Sequence, residues 1–262
     1  MRWLKKSARR YAPLPQDSNV KVAIVGSNGR MGQRLVALAE ESSDLDVVGQ
    51  VDAGGAGLDG CGELACVIDF SIHAQAPETA AYCVRTGTPL VLGTTGLTDA
   101  ELAAIHTAAQ HIPMVMAPNF SVGVNLLFAM VGEAAKMLGE DFDIEVLEAH
   151  HRRKVDAPSG TAVRLGEVLA EAIGRSYDDA VVCGREGQVG ARSANEIGMS
   201  VVRGGDVVGE HTVFYLGDGE QISIGHRATD RDIFVRGALR AARWVARQTT
   251  PGLYDMGDVL RS

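Results

Sequence analysis

The chain has 262 residues, enough for one large or two modest domains, with 46% hydrophobic and 22% charged residues, as is ordinary for a globular protein. Its formal net charge of -8 argues against nucleic acid as a main partner, and its apolar runs are too short to predict a membrane span. The four cysteines form no CxxC pair and no metal-ligand spacing, so we expect reduced thiols, no metal site and a cytoplasmic location.

Residues 1–19 form a basic, acid-poor segment that ends before the first predicted strand. Lysines and arginines precede two prolines, and Asp17 is the one acidic residue. The segment has no apolar core of a secretory signal, and it lacks the serine richness of an organelle transit peptide. We expect a disordered basic extension, or a translation start placed too early.

A strand, a glycine turn and a helix follow in the order that dinucleotide-binding folds use. Val20–Val25 is predicted to be a buried strand, Gly26–Gly32 is the turn, and apolar residues then recur at helical spacing. Gly26 allows a sharp turn, Gly29 leaves room for a pyrophosphate, and Gly32 lets the helix pack closely on the sheet. The GxxGxxG spacing is not the commoner GxGxxG, and alone it also fits a tight turn with no ligand.

Asp52 strengthens the dinucleotide hypothesis because it closes a second predicted strand, Asp46–Val51. A carboxylate there can accept hydrogen bonds from the adenosine ribose hydroxyls. It should repel a 2′-phosphate, and Ala53 supplies no guanidinium, although Arg30 can partly compensate. We therefore predict that NADH is used at least as well as NADPH. The predicted cofactor-binding residues of this region are Gly26, Ser27, Asn28, Gly29, Arg30, Met31 and Asp52.

Strands and helices alternate up to about residue 120, which predicts a Rossmann-like parallel sheet with helices on both faces. The predicted strands are 65–70, 89–93 and 113–117, and the predicted helices are 74–86 and 98–110. Ligands of such sheets bind beyond the carboxyl ends of the strands. Two loops fall at those ends, and taken alone they also fit ordinary strand-to-helix turns. Their residues are Gly93, Thr94, Thr95, Ala117, Pro118, Asn119 and Phe120.

The pattern changes after residue 121 and predicts a second, α+β domain with a mixed, largely antiparallel sheet. Helices are predicted at 121–138, 160–173 and about 232–247. Strands are predicted at 143–148, 197–203, 208–216 and 220–226, with glycine-rich turns between the last three.

The run from Glu148 to Ala162 places proton donors and positive charge beside a predicted helix start. His150, His151 and Lys154 precede Ser159-Gly160-Thr161, which opens an amphipathic helix. The N–H groups at a helix start bind carboxylate or phosphate. The run therefore indicates a small polyanionic substrate and proton transfer to it, whereas a lone His-His pair would indicate only a polar loop.

Together these motifs resemble the 4-hydroxy-tetrahydrodipicolinate reductase family, long called dihydrodipicolinate reductase, of the diaminopimelate–lysine pathway of bacteria and plants. The resemblance covers nearly the whole chain after residue 19, and the His150–Thr161 run is highly specific. The matching blocks are Gly26–Gly32, Asp69–Ser71, Gly93–Gly96, Ala117–Asn125, His150–Thr161, Gly209–Val213, His226–Ala228, Arg231–Phe234 and Gly237–Leu239.

The resemblance implies an enzyme that uses NADH and/or NADPH to reduce a cyclic imine with two carboxylates, with loss of water. His150 is then the predicted general acid, since imidazole titrates nearest neutral pH, and Lys154 is the second proton donor and a carboxylate partner. The substrate-binding residues are His151, Lys154, Ser159, Gly160, Thr161 and, by resemblance alone, Arg231. The two loops at 93–95 and 117–120 contact the nicotinamide half of the cofactor in this family.

The resemblance also implies the organisation of the chain. Residues 20–120, completed by 230–262, form the dinucleotide-binding domain, and 121–229 bind substrate and build a homotetramer through the second sheet. Two other functions stay open from the residues. A related nicotinamide-dependent imine or aldehyde oxidoreductase would keep the glycine turn, and a non-catalytic nucleotide sensor would be expected to lose the proton donors and the carboxylate cradle.

Overall fold

The computed structural model describes residues 18–52 and 57–261, which form two compact units. The described residues up to Ser121 and from Phe234 onward belong to the first unit, and Val122–Ile233 form the second. The extension predicted for 1–19 lies outside the described residues except for its last two positions.

Strands and helices of the described chain are numbered here in chain order. The strands are β1 Val20–Val25, β2 Leu45–Val51, β3 Cys66–Asp69, β4 Leu90–Leu92, β5 Pro113–Met116, β6 Asp143–His150, β7 Val181–Cys183, β8 Ile197–Arg203, β9 Gly209–Gly217, β10 Glu220–Ala228 and β11 Gly252–Tyr254. The helices are α1 Arg30–Glu40, α2 Ala76–Thr86, α3 Asp99–Ala109, α4 Val122–Leu138, α5 Gly160–Ala172, α6 Tyr177–Ala180, α7 Asp232–Val245 and α8 Met256–Leu260.

The first unit contains a six-stranded sheet in the order β11-β5-β4-β3-β1-β2, with every pairing parallel. Its central strands are short and apolar, and Val67, Leu90 and Leu92 are fully buried in its core. Residues buried on both faces of a sheet are typical of parallel strands covered by helices. The predicted Rossmann-like domain is confirmed.

Local signals delimit the helices of this unit. Thr98 and Glu101 form a reciprocal capping box at the start of α3. Gly87, with φ of 70°, ends α2 in the left-handed conformation that glycine adopts most readily. These signals explain why α2 and α3 lie within two residues of the predicted bounds.

The second unit contains a five-stranded sheet in the order β10-β9-β6-β8-β7. Strand β9 pairs antiparallel with β10 and β6, whereas β8 pairs parallel with β6 and β7, so the predicted mixed sheet is confirmed. One face of the sheet packs against α4 and α5 in a core that includes Leu165 and Tyr215. The Tyr215 hydroxyl donates a 2.6 Å hydrogen bond to the Val131 carbonyl, which satisfies its buried oxygen.

Four short elements were not predicted from the sequence: α6, β7, β11 and α8. None of them is longer than five residues. Segments of this length are too short to show a hydrophobic period, and the strand that pairs with β11, β5, lies far away in the sequence. Their positions therefore depend on tertiary contacts.

Helix α4 bears on the expectation that the apolar runs are too short to span a membrane. Together with the turn after it, the segment Val122–Asp141 is long and apolar enough by length and composition alone to cross a membrane, with a mean hydropathy of 1.3. One face, including Leu127 and Val131, belongs to the core, while Met130 and Met137 are exposed.

All four cysteines are free thiols, as the sequence predicts. Cys66 and Cys83 are buried, and burial raises the pKa of both thiols. A raised pKa keeps a thiol protonated and unreactive near neutral pH. These two cysteines are therefore core residues of the first unit.

Candidate active site

The glycine turn of the first unit is closed by backbone contacts that leave no room for side chains. Gly26 has a φ of 82°, and its N–H donates a 2.8 Å hydrogen bond to the Val51 carbonyl. A Cβ at Gly32 would lie 2.0 Å from the Gly26 oxygen and 2.6 Å from the Ser27 Cα. Gly32 thus packs the first turn of α1 onto the glycine turn itself, rather than onto the sheet as expected from the sequence.

Asp52 lies directly after β2 and is joined to the glycine turn. One of its carboxylate oxygens accepts 2.6 Å hydrogen bonds from the Ser27 hydroxyl and from the Asn28 N–H. This places a negative charge beside the N-terminal end of α1, whose exposed first residue is Arg30. Ala53, which was expected to offer no guanidinium to a 2′-phosphate, lies outside the described residues.

A buried carboxylate that was not predicted as a functional residue organises the middle of the same sheet edge. Asp69, at the end of β3, accepts hydrogen bonds at one oxygen from the Ser71 hydroxyl at 2.6 Å and the Thr94 hydroxyl at 2.9 Å. A Cβ at Gly93 would lie 2.2 Å from the Phe70 ring. The loops after β3 and β4 are therefore fixed to each other by Asp69 and by the absence of a side chain at Gly93.

The last predicted cofactor loop follows β5. Phe120 is buried and packs against Phe70, with ring centroids 5.5 Å apart, so its side chain is part of the core. Pro118 and Thr95 are exposed, and the Asn119 side chain accepts a 2.8 Å hydrogen bond from the Ser121 N–H. The sheet order separates the loop after β2 from the loop after β5 by four strand spacings, or about 19 Å.

These residues fit a dinucleotide. The glycine turn packs its own backbone closely and leads directly into the start of α1, where backbone N–H groups favour a pyrophosphate. Asp52 lies beyond the end of one strand, and the loops at 93–95 and 117–120 lie beyond the ends of two others. An extended cofactor can span this edge of the sheet with one nucleotide at each end.

The second unit brings together the residues of the His150–Thr161 run around Glu148, which was not predicted to have a role. Glu148 is fully buried and contacts the His150 Nδ1 at 2.6 Å. Arg203 donates to both carboxylate oxygens, at 2.7 and 2.8 Å. Burial opposes ionisation of Glu148, but the hydrogen bonds from Arg203, His150 and the Ser159 N–H lower its pKa below the usual range.

A second histidine, His211, lies beside His150. The two rings meet edge to face with centroids 5.1 Å apart, and the His211 Nε2 lies 3.0 Å from the Ser159 hydroxyl. Burial, followed by the neighbouring His150, lowers the pKa of His211 to about 4. His211 is therefore neutral near pH 7. Gly209 leaves space beside His150, since a Cβ there would lie 3.0 Å from the imidazole Nε2.

His151, Lys154 and Arg231 supply positive or donor groups in the same unit. The His151 Nε2 lies 3.3 Å from an Arg231 nitrogen, and burial together with Arg231 lowers the pKa of His151. The Lys154 ammonium forms a 2.8 Å ion pair with Asp156, whose pKa this hydrogen bond lowers. Asp156 is therefore an ion-pair partner within the loop.

The start of α5 differs from the expected carboxylate cradle at one residue. The Ser159 N–H donates to Glu148 at 2.8 Å, and the Ser159 hydroxyl accepts from the Ala162 N–H at 3.2 Å as the helix cap. Ser159 is buried, whereas Gly160 is exposed and Thr161 is half-buried. The polar atoms of Ser159 therefore already have partners inside the unit.

The side chains that the sequence argument missed here are Glu148, Arg203 and His211. Glu148 could have been found from strand alternation, because residues two apart on a strand share a face and His150 follows it at that distance. His211 and Arg203 lie on the strands that flank β6, and only the pairing of β6 with β8 and β9 brings them to the imidazole.

A Rossmann-type unit with a glycine turn, carried on one chain with a unit that holds proton donors and cations, defines a nicotinamide-dependent oxidoreductase. The chain matches the family models described as dihydrodipicolinate reductase, N-terminus, over residues 20–120 and dihydrodipicolinate reductase, C-terminus, over residues 123–260. It belongs to this 4-hydroxy-tetrahydrodipicolinate reductase family, an oxidoreductase family of lysine biosynthesis through diaminopimelate.

Individual relatives agree with the family models. The chain is 49% identical over 267 residues to a 4-hydroxy-tetrahydrodipicolinate reductase of Myxococcus xanthus, covering 92% of this chain and 97% of the relative. A reductase of the same description from Syntrophotalea carbinolica is 46% identical over 264 residues, with coverages of 92% and 98%. A solved structure, dipicolinate-bound dihydrodipicolinate reductase from Paenisporosarcina sp. TG-14, is 25% identical with a TM-score of 0.73, covering 90% of this chain and 97% of the other.

Proposed function

We propose that this chain reduces 4-hydroxy-tetrahydrodipicolinate to tetrahydrodipicolinate with loss of water, using NADH and/or NADPH. Residues 20–120, completed by 230–262, would bind the dinucleotide, and 121–229 would bind substrate. The observation that carries the proposal is the buried Glu148–His150 pair beside the exposed start of α5 and the cationic Lys154, in a chain of this family. A cytoplasmic location is part of the proposal and is supported by the four free thiols.

His150 is the proposed proton donor for the departing hydroxyl. Its Nδ1 faces Glu148, so the opposite nitrogen, Nε2, is the one presented to substrate, and the glycine at 209 keeps that side open. A carboxylate at Nδ1 fixes the ring orientation and stabilises the protonated imidazole. When bound, the reduced nicotinamide supplies the hydride.

The substrate carboxylates are proposed to bind at two places in the second unit. Gly160 and Thr161 lie in the first turn of α5, where backbone N–H groups favour an anion, and Ser159 holds that turn through its cap. The His151 Nε2 and an Arg231 nitrogen lie 3.3 Å apart, so two groups that can donate to one carboxylate are already close together. Burial, followed by the charge of Arg231, lowers the pKa of His151.

Lys154 is proposed to exchange its internal partner for the substrate. Its ammonium now pairs with Asp156, whose side chain is about half exposed at 52%. Exposed ion pairs contribute little free energy, typically ~0–1 kcal/mol, so a substrate carboxylate can compete for the ammonium. Lys154 then neutralises that carboxylate and is a second proton donor.

Assembly is proposed to use the face of the second sheet that points away from α5. Side chains alternate along each strand, so this face carries residues such as Leu147, Val202 and Leu216, which are all exposed. The same face carries Asp143 and Glu145, which pair with arginines, so it combines exposed apolar side chains with charged ones. We propose a homotetramer formed through this face. Leu216→Glu should reduce the mass measured by light scattering, and an unchanged mass would refute this interface.

A coupled assay tests the proposed activity. The substrate is generated enzymatically from its precursors, and NADH consumption is followed by absorbance. Wild-type turnover that requires the coupled substrate, with loss of turnover in His150→Ala, supports the reductase. Turnover only with other imines or aldehydes would favour the related oxidoreductase, and NADH binding without any turnover would favour a nucleotide sensor.

A further inference from the structure

Glu148 is a fully buried carboxylate with four close polar contacts, two at each oxygen. One oxygen lies 2.6 Å from the His150 Nδ1 and 2.7 Å from an Arg203 nitrogen. The other accepts from the Ser159 N–H at 2.8 Å and from the second Arg203 nitrogen at 2.8 Å. The single side chain thus contacts both the proposed proton donor and the residue that caps the proposed carboxylate-binding helix.

We propose that Glu148 is the positioning residue of this active site, holding His150 and the start of α5 in one fixed geometry. The inference rests on the proposed role of His150 as the acid. A carboxylate that accepts from Nδ1 determines which imidazole nitrogen faces the reaction and limits rotation of the ring. Because the same carboxylate accepts from the Ser159 N–H, the donor and the anion-binding turn cannot move independently.

Arg203 offsets the free-energy cost of burying the negative charge of Glu148. An isolated buried carboxylate is costly, whereas a bidentate guanidinium pairs with both of its oxygens. Arg203 also donates a 2.7 Å hydrogen bond to the Asp156 carbonyl, in the loop that carries Lys154. It therefore connects the buried carboxylate to the loop between β6 and α5.

Glu148 and His211 both contact the His150 imidazole. Glu148 lies 2.6 Å from Nδ1, and the His211 ring meets the imidazole edge to face with centroids 5.1 Å apart. Replacing Glu148 by an amide removes the charge-assisted contact to Nδ1 and leaves the edge-to-face contact in place.

The test compares Glu148→Gln with Glu167→Gln. Glu167 is also an arginine-paired glutamate of the second unit, bound to Arg164 at 2.8 Å on the exposed side of α5. We expect Glu148→Gln to lower kcat by about 100-fold or more and to change the pH–rate profile, because the proposed proton donor loses its charged partner. Glu167→Gln should leave both unchanged, and both variants should keep the NADH affinity of the wild type in fluorescence titrations.

His150→Ala separates this inference from the proposed function. If His150→Ala keeps normal turnover, the acid role fails and the proposed function must be revised. If His150→Ala is inactive but Glu148→Gln keeps both the rate and the pH profile of the wild type, only the positioning role is overturned. The activity loss in the double variant should be smaller than the product of the two single losses, because part of the effect of Glu148 acts through His150.

A spectroscopic measurement keeps the inference testable even if Glu148→Gln does not fold. The short contact to a carboxylate should give the wild-type enzyme a strongly downfield imidazole N–H proton resonance. This resonance should vanish in His150→Ala and persist in Glu167→Gln. Its absence from the wild type would overturn the proposed hydrogen bond.

Discussion

The substitution Gly32→Ala tests how closely α1 packs on the glycine turn. The added Cβ would lie 2.0 Å from the Gly26 oxygen, whereas ordinary van der Waals contact begins at 3.4 Å. Helix and turn would therefore have to separate by about 1.4 Å, and both are backbone, which cannot rotate away. Within a helix, alanine otherwise gains about 1 kcal/mol over glycine, and overpacking costs about 1–3 kcal/mol.

Because two backbone segments clash, the upper part of the overpacking range applies, about 2–3 kcal/mol, and the helix gain is subtracted from it. Gly32→Ala should therefore lower the free energy of unfolding by about 1–2 kcal/mol, or roughly 2–8 °C in Tm. The displaced turn should also raise the Kd for NADH, by about tenfold or more. Denaturant titration and NADH fluorescence measure the two effects. Gly60→Ala is the control, because an added Cβ there meets nothing within 4 Å. Equal stability and equal NADH affinity in the two variants would refute the packing argument.

Three further predictions concern substitutions of Lys154, Asp52 and His211. Lys154→Ala should lower kcat by ~100–10,000-fold and raise the substrate KM while NADH affinity changes little, and near-normal turnover would remove Lys154 from the mechanism. Asp52→Asn should raise the NADPH-to-NADH ratio of kcat/KM by about tenfold, since it removes a charge that repels a 2′-phosphate, and an unchanged ratio would contradict that repulsion. The pKa of His211 is depressed to about 4, so the unfolded chain binds its proton more readily. Stability should therefore fall between about pH 6.5 and pH 4 by up to roughly 3 kcal/mol, and His211→Gln should flatten that slope in denaturation curves measured across this range.

The cofactor cradle was largely predictable because its residues are contiguous. Strand β1, the glycine turn and α1 follow one another within Val20–Glu40, and each is marked by its own local pattern. Asp52 needed only the prediction of one further strand. Asp69 belongs to a motif that the chain shares with the family, but its role could not be predicted from the sequence. Its partner Thr94 lies 25 residues away, and their hydrogen bond depends on the pairing of β3 with β4.

The substrate side shows the same division between contiguous and distant residues. His150, His151, Lys154 and the start of α5 lie within one run, and their chemistry can be read directly from residue types. The sequence did not show that Ser159 already has internal partners, nor that a buried Glu148 joins it to His150. These contacts exist only after a strand, a loop and a helix start have folded around one carboxylate.

The amino-acid sequence by itself determined the two-domain fold class, the glycine turn, the helix start at Ser159 and the set of candidate proton donors, because local periodicity, turn residues and charge act over a few positions. Only the tertiary structure decided which groups meet. The Arg203 guanidinium reaches Glu148 across 55 positions, and the His211 ring reaches Ser159 across 52. Such contacts depend on strand order and register, which bring the hydrogen-bond donors to Glu148 and bury His211, and so set the charge state of each.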